Sequence, residues 1–198
     1  MDLRVYELLN GAAKHSDAFE DVLRFVANDA QLFFLALLAG LFLARGKWAS
    51  RNGRHGVVAA GFSALLALGA AQVISHLWDR PRPYEAHPNH AHLFVPASHD
   101  PSFPSDHATG AFAIAVAIFL RDRRAGGLAL VMATLVCVSR VAVGTHYPTD
   151  VLGGALLGAL AALVLWLPAV RRPLHGLADW AGRLYEHLAL RVLRQRQA

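Results

Sequence analysis

The chain has 198 residues, 55% of them hydrophobic and 17% charged, with a formal net charge of +5. Its apolar share exceeds the roughly 45–50% of an ordinary soluble domain, and the apolar residues are bunched into long blocks, which excludes a soluble enzyme and extended disorder. The single cysteine, Cys137, excludes an intramolecular disulfide and a cysteine-based zinc site.

In chain order, residues 3–26 place Val5, Leu8, Leu9, Ala12, Phe19, Val22, Leu23 and Val26 at helical spacing among acids and lysine. The spacing predicts one amphipathic helix on the outer membrane interface, residues 1–28, with no cleaved signal peptide. A sixth span is the rival reading, disfavoured by Glu7, Lys14, Asp17, Glu20 and Asp21. Five apolar blocks follow: Ala30 to Ala44, Gly56 to Ile74, Ala108 to Leu120, Gly126 to Val138 and Val151 to Val170. A span needs roughly 17–25 residues, so the third block must begin near Ser105 and the fourth must run on to about Val143. Trp180, Leu184, Leu188 and Val192 among arginines predict a second interfacial helix over Leu174 to Leu193, within a basic tail of residues 171–198. The expected fold is an all-α polytopic membrane bundle, a single domain of 198 residues whose core is residues 29–170.

If every block spans, 13 of the 19 lysines and arginines fall on one side, including Arg45, Lys47, Arg51 and Arg54, then Arg121, Arg123 and Arg124. By the positive-inside rule that side is cytoplasmic. The charge excess is therefore a topology signal and not a nucleic-acid surface. The loop from Leu77 to Pro104 and the turn from Gly144 to Thr149 then face outward.

Three polar clusters meet on that outer face: RPRPYE (Arg80 to Glu85), FPSDHATG (Phe103 to Gly110) and SRVAVGTHYPTD (Ser139 to Asp150). Ionisable groups at a membrane boundary are costly unless they pair or bind something. Arg82 and Arg140 suit phosphate oxygens through planar, permanently charged donors. Ser105 is placed as the N-cap of the third block, whose first amides would join the same anion hole. His146 and Asp150 are four residues apart, so the carboxylate could fix one ring nitrogen and leave the other to attack phosphorus. His107 is placed to protonate the leaving oxygen. With two arginines on the phosphoryl group no metal is required, and no cofactor is expected.

These residues resemble the type 2 phosphatidic acid phosphatase superfamily, whose signature is K-x6-R-P, P-S-G-H and S-R-x5-H-x3-D. The third part matches in full at Ser139, Arg140, His146 and Asp150. The resemblance implies that His146 is a nucleophile forming a phosphohistidine, that Asp150 orients it, that His107 is the general acid, and that Arg82, Arg140 and Ser105 hold the phosphoryl group. Two positions depart from the signature. Ser75 stands where the lysine is expected, with Arg80 or His76 as candidate substitutes, and Asp106 stands in place of glycine, paired with Arg80 or turned into water. The RPRPY and PSDH variants are similar to the undecaprenyl-diphosphatase branch. That similarity implies hydrolysis of a polyprenyl diphosphate at the outer face of a bacterial cell membrane, in lipid-carrier recycling for cell-wall synthesis. Phosphatidic acid or phosphatidylglycerol phosphate is the alternative substrate, and a non-catalytic lipid-phosphate binder or transporter is the alternative from another class. His87, His90, His92 and His99 crowd the outer loop at spacings too irregular to favour zinc; Tyr84 and Trp78 read as an aromatic interface belt.

Overall fold

The computed structural model describes residues 2–14, 17–44 and 50–195. Arg45 and Lys47, counted above among the cytoplasmic charges, lie outside the described residues, as do the side chains from Leu188 onward, Val192 included. Eight helices follow in order: α1 (Asp2–Ala13), α2 (Asp17–Leu43), α3 (Arg51–Leu77), α4 (Pro83–Ala86), α5 (Asp106–Arg121), α6 (Arg123–Ala142), α7 (Pro148–Trp166) and α8 (Pro168–Gln195). The fold is all-helical, as the block pattern predicts.

Within α2, α3, α6 and α7 lie stretches long and apolar enough to cross a membrane. The shorter α5 has 16 residues, about 24 Å at the helical rise, and sits at the centre of the bundle against α3, α6 and α7. Outward-facing Leu65, Val73, Leu128, Val131, Leu152 and Leu156 are 59–72% exposed, an apolar perimeter that requires lipid. The chain is a multi-pass membrane protein. Its interior is built from small side chains, with Ala60, Ala67, Ala113, Ala115, Ala133 and Ala162 all essentially inaccessible. Lipid tails are as apolar as the helix faces, so close packing of small residues holds such helices together.

The predicted third and fourth boundaries agree with the structure: Ser105 caps α5 and α6 runs to Ala142. The amphipathic segment over residues 3–26 does not form one helix. Its second half is continuous with the first apolar block in α2, 27 residues long, while α1 stands alone. Helical periodicity reads through such a break because both pieces keep one apolar face. In α1, Tyr6, Asn10 and Ala13 are buried against the outer turn and loop, so that face is spent on protein. At the opposite end α8 begins at Pro168, ahead of the predicted start, and docks on the first turn of α3. Arg54 pairs there with Glu186 at 2.6 Å, and His55 with Asp179 at 2.7 Å.

The α5–α7 contact holds the site elements in register, and it depends on Gly154 and Gly158. A Cβ on Gly158 would press into the Thr109 carbonyl and lie 2.8 Å from the Ala113 amide. Gly158→Ala is therefore expected to destabilise the detergent-solubilised protein by roughly 1–3 kcal/mol. Gly61→Ala, whose Cβ meets nothing within 4 Å, is expected to leave the melting temperature unchanged; thermal unfolding of the two variants checks the contrast.

Candidate active site

Local chain chemistry builds the outer turn. Gly144 has φ of +90°, and a Cβ there would collide with the His92 carbonyl, so glycine is required between α6 and His146. Tyr147 is the N-cap of α7 and Pro148 follows with φ already suited to a helix. Asp150, at the third helical position, turns back to accept from the Tyr147 amide at 2.8 Å. The H-x3-D spacing thus brings the carboxylate under the histidine.

The carboxylate is fully buried. Its Oδ1 accepts from Arg80 Nη1 at 2.5 Å, and its Oδ2 accepts from Ser102 Oγ at 2.5 Å. His146 Nδ1 lies 3.8 Å from Asp150 Oδ2 but 2.8 Å from the Ser102 carbonyl. The direct bond expected from spacing is therefore replaced by one to the Ser102 backbone, with Asp150 close by as an electrostatic neighbour. With Nδ1 donating to that carbonyl, Nε2 is the unprotonated nitrogen.

His146, His107, Arg82 and Arg140 line a cavity of about 560 Å³. Arg82 is 6% exposed; its Nε donates to the Asp100 carbonyl at 2.8 Å and its Nη1 to the Thr145 carbonyl at 3.3 Å. Arg140 is 8% exposed, donates from Nη1 to the Ala27 carbonyl at 3.2 Å, and keeps Nε without a partner. Among the described residues neither guanidinium is ion-paired with a carboxylate. Asp79, Asp100 and Asp106 line the same cavity, but none forms an ion pair with either guanidinium among the described residues, which leaves both cations donors for an incoming anion.

Two expected phosphate contacts, Arg80 and Ser105, do not line the cavity. Arg80 is directed away from the cavity, onto Asp150, Asp2 and the Tyr147 ring 4.3 Å from its guanidinium carbon, so it neither replaces the missing lysine nor pairs with Asp106. Asp106 instead accepts from Gln72 Nε2 at 3.0 Å. Ser105 is the N-cap residue, but its hydroxyl makes no capping bond and is a buried oxygen without a partner. At the lysine position Ser75 donates to the Gln72 carbonyl at 3.0 Å, with His76 beside it on the cavity wall.

Sequence reasoning missed Asp2, Asn10 and Ser102. Asn10 is 1% exposed and donates to the His92 and Ala142 carbonyls at 2.7 and 2.8 Å while accepting from the His92 amide at 2.9 Å, tying α1 to the outer loop and to α6. Tyr84, read as an interface aromatic, is a loop clasp: its hydroxyl donates to the Ser98 carbonyl at 2.6 Å and accepts from the Ser98 amide at 3.0 Å. The loop histidines are dispersed, His90 pairing with Glu7 at 3.0 Å and His99 facing the cavity. No group of three His, Cys, Asp or Glu side chains converges on a metal position among the described residues.

Beside the cavity runs an almost wholly apolar groove of about 1070 Å³ between α2, α3 and α5, floored by Leu35, Leu38, Leu65, Leu68 and Ile114 and reaching Leu177 of α8. Gln72, Asp106 and His107 line both spaces. A cationic cavity and an apolar groove that share wall residues, in a multi-pass bundle, are the two parts that a membrane lipid phosphatase needs. The PAP2 superfamily model matches residues 56–172, and the chain belongs to that superfamily. The chain is 29% identical to undecaprenyl-diphosphatase BcrC of Bacillus subtilis, over 94% of this chain and 92% of that one. Among solved structures it is similar to LpxE of Aquifex aeolicus, with TM-score 0.67 and 25% identity over 82% of this chain and 93% of that chain. A PAP2-type phosphatidylglycerolphosphate phosphatase from Bacillus subtilis gives TM-score 0.57 and 27% identity over 82% and 83%.

Burial pushes the His146 pKa down to about 4; the Arg140 and Arg82 charges act in the same direction, and Asp150 opposes them. The imidazole is thus neutral, with Nε2 able to attack, throughout the physiological range. Titration of the ring nitrogens of His146 by NMR in the phosphate-free protein is expected to show a midpoint well below the usual 6.5. A midpoint at or above that value would mean that the ring is solvated and the site open.

Proposed function

We propose that the chain is a single-domain undecaprenyl diphosphate phosphatase that works through a phosphohistidine at His146, without metal or other cofactor, at the outer face of a bacterial cell membrane. The adjacency of the anion cavity and the apolar groove, which share Gln72, Asp106 and His107 as lining residues, carries this reading. An amphiphile with a phosphorylated head and a long hydrocarbon tail fits both spaces at once. The named activity of the Bacillus subtilis relative supports the diphosphate.

Arg82 and Arg140 hold the terminal phosphoryl oxygens and offset their charge. Neutral His146 attacks phosphorus through Nε2, forming the N–P bond as the P–O bond to the lipid phosphate breaks. The positive charge that develops on the ring is stabilised by the Ser102 carbonyl and by the Asp150 carboxylate 3.8 Å away. His107, beside both cavity and groove, takes up a proton together with the anionic substrate and gives it to the leaving oxygen. Neutral His107 then takes a proton from water as that water attacks the phosphohistidine, and inorganic phosphate and free His146 are regenerated.

The test is phosphate release from undecaprenyl diphosphate by detergent-purified protein in excess EDTA, beside phosphatidic acid, phosphatidylglycerol phosphate and the His146→Ala variant. Chelator-resistant release from the diphosphate, lost by several orders of magnitude in His146→Ala, is expected. The similarity to the phosphatidylglycerolphosphate phosphatase structure supports the second reading, and preference for that lipid would select it. Parental release by His146→Ala would remove the nucleophile assignment, and loss of release in EDTA would remove the metal-free mechanism.

A further inference from the structure

The first turn of α1 reaches the back of the site. Asp2 Oδ1 accepts from the Thr149 amide at 3.1 Å, and its Oδ2 accepts from the Thr149 hydroxyl at 2.6 Å and from Arg80 Nη2 at 2.8 Å. Arg80 Nη1 spans the Thr149 hydroxyl at 2.7 Å and Asp150 Oδ1 at 2.5 Å. One guanidinium therefore bridges two carboxylates, and the fully buried one is the partner of His146. Burial of Asp2 opposes its ionisation, but the bonds from Thr149 and Arg80 prevail and hold its carboxyl below the usual range. Asn10 and Tyr6 fix α1 in this position through the carbonyls of Ala142 and Gly144, the latter bond being 3.5 Å long. Every one of these α1 residues lies outside the segment matched by the family model, residues 56–172.

We infer that Arg80 is a positioning residue that keeps the Asp150 carboxylate aligned behind His146, and that α1 takes part in catalysis through Asp2, which holds Arg80 in its bridging orientation. The inference rests on His146 as the attacking group. Without Arg80 the buried Asp150 carboxylate keeps Ser102 and the Tyr147 amide as donors, and a buried group stripped of its counter-ion is driven out of its place. The carboxylate then no longer stabilises the charge that develops on the His146 ring. Asp2 contributes in a second way: its negative charge offsets Arg80, so the guanidinium does not cancel the field of Asp150 at the imidazole. Arg80 acts through another residue and on the far side from the phosphoryl group, so its loss reduces turnover and leaves substrate affinity in place.

The experiment measures steady-state phosphate release with undecaprenyl diphosphate for Arg80→Ala, Arg80→Lys, Asp2→Asn and Asp150→Asn, and for Arg80→Ala combined with Asp150→Asn, with His146→Ala as reference. Arg80→Ala is expected to lower kcat roughly 10- to 100-fold with KM changed less than about threefold. Asp2→Asn should move kcat the same way by roughly three- to tenfold, and Arg80→Lys should recover part of the loss. In the Asp150→Asn background Arg80→Ala should cost little more, because both act on one group. A rise in KM with kcat kept would make Arg80 a substrate ligand and overturn the inference. An undiminished cost of Arg80→Ala in the Asp150→Asn background, or parental kcat in Asp2→Asn, would overturn it as well. If His146→Ala is inactive while these outcomes hold, only the positioning role falls; if His146→Ala is active, the nucleophile reading falls with it.

Discussion

A carboxylate with no access to water dominates the site end of this molecule. Asp150 is fully buried, and an isolated anion in such a place costs several kcal/mol unless its lone pairs are met by donors. Three segments far apart in sequence supply those donors: Arg80 from the start of the outer loop, Ser102 from its end, and the Tyr147 amide from the turn before α7. Ser102 also anchors the loop to itself, donating its amide to the Arg80 carbonyl at 2.8 Å, and its carbonyl orients His146. The loop cannot leave this position without exposing the charge, so one desolvated group sets both the loop fold and the orientation of His146.

The complementary arrangement lies on the other side of the imidazole. Arg82 and Arg140 are buried with carbonyl oxygens as their partners and no carboxylate among the described residues. Arg82 and Arg140 thus line the cavity in front of the ring, and the Asp150 carboxylate lies behind it. In the proposed reaction the two guanidinium groups would meet the phosphoryl oxygens, and the carboxylate would favour positive charge on the ring. It depends on α5 and α7 lying close enough for Ser105 and Asp150 to meet, and the Ser105 amide donates to the Asp150 carbonyl at 3.1 Å. The glycines of α7 permit that approach.

Much of this was legible in the chain. Apolar block lengths predict the bundle, and the S-R-x5-H-x3-D spacing brings Arg140 at the end of α6, His146 in the connection and Asp150 at the start of α7 to one site because the spacing is local. What escaped reading was long-range. Asn10 bonds to backbone 82 and 132 residues away, and Asp2 reaches Thr149 across 147 residues. No pattern in the flanking sequence marks an asparagine or aspartate for such contacts. Arg80 was drawn toward phosphate because an arginine beside Arg82 carries the same chemical signal. Only the geometry shows that the two side chains diverge. The expected His146–Asp150 bond follows from spacing alone, whereas the Ser102 carbonyl that takes its place sits 44 residues upstream.

The groove between α2, α3 and α5 and the anion cavity share Gln72, Asp106 and His107 among the described residues, so that the two spaces lie side by side with unlike walls. For the proposed reaction this sets the fate of the products: a hydrocarbon tail in the groove would return to the bilayer, where diffusion is two-dimensional, and inorganic phosphate would leave the cavity into water. The two fragments of one substrate would then part into different phases.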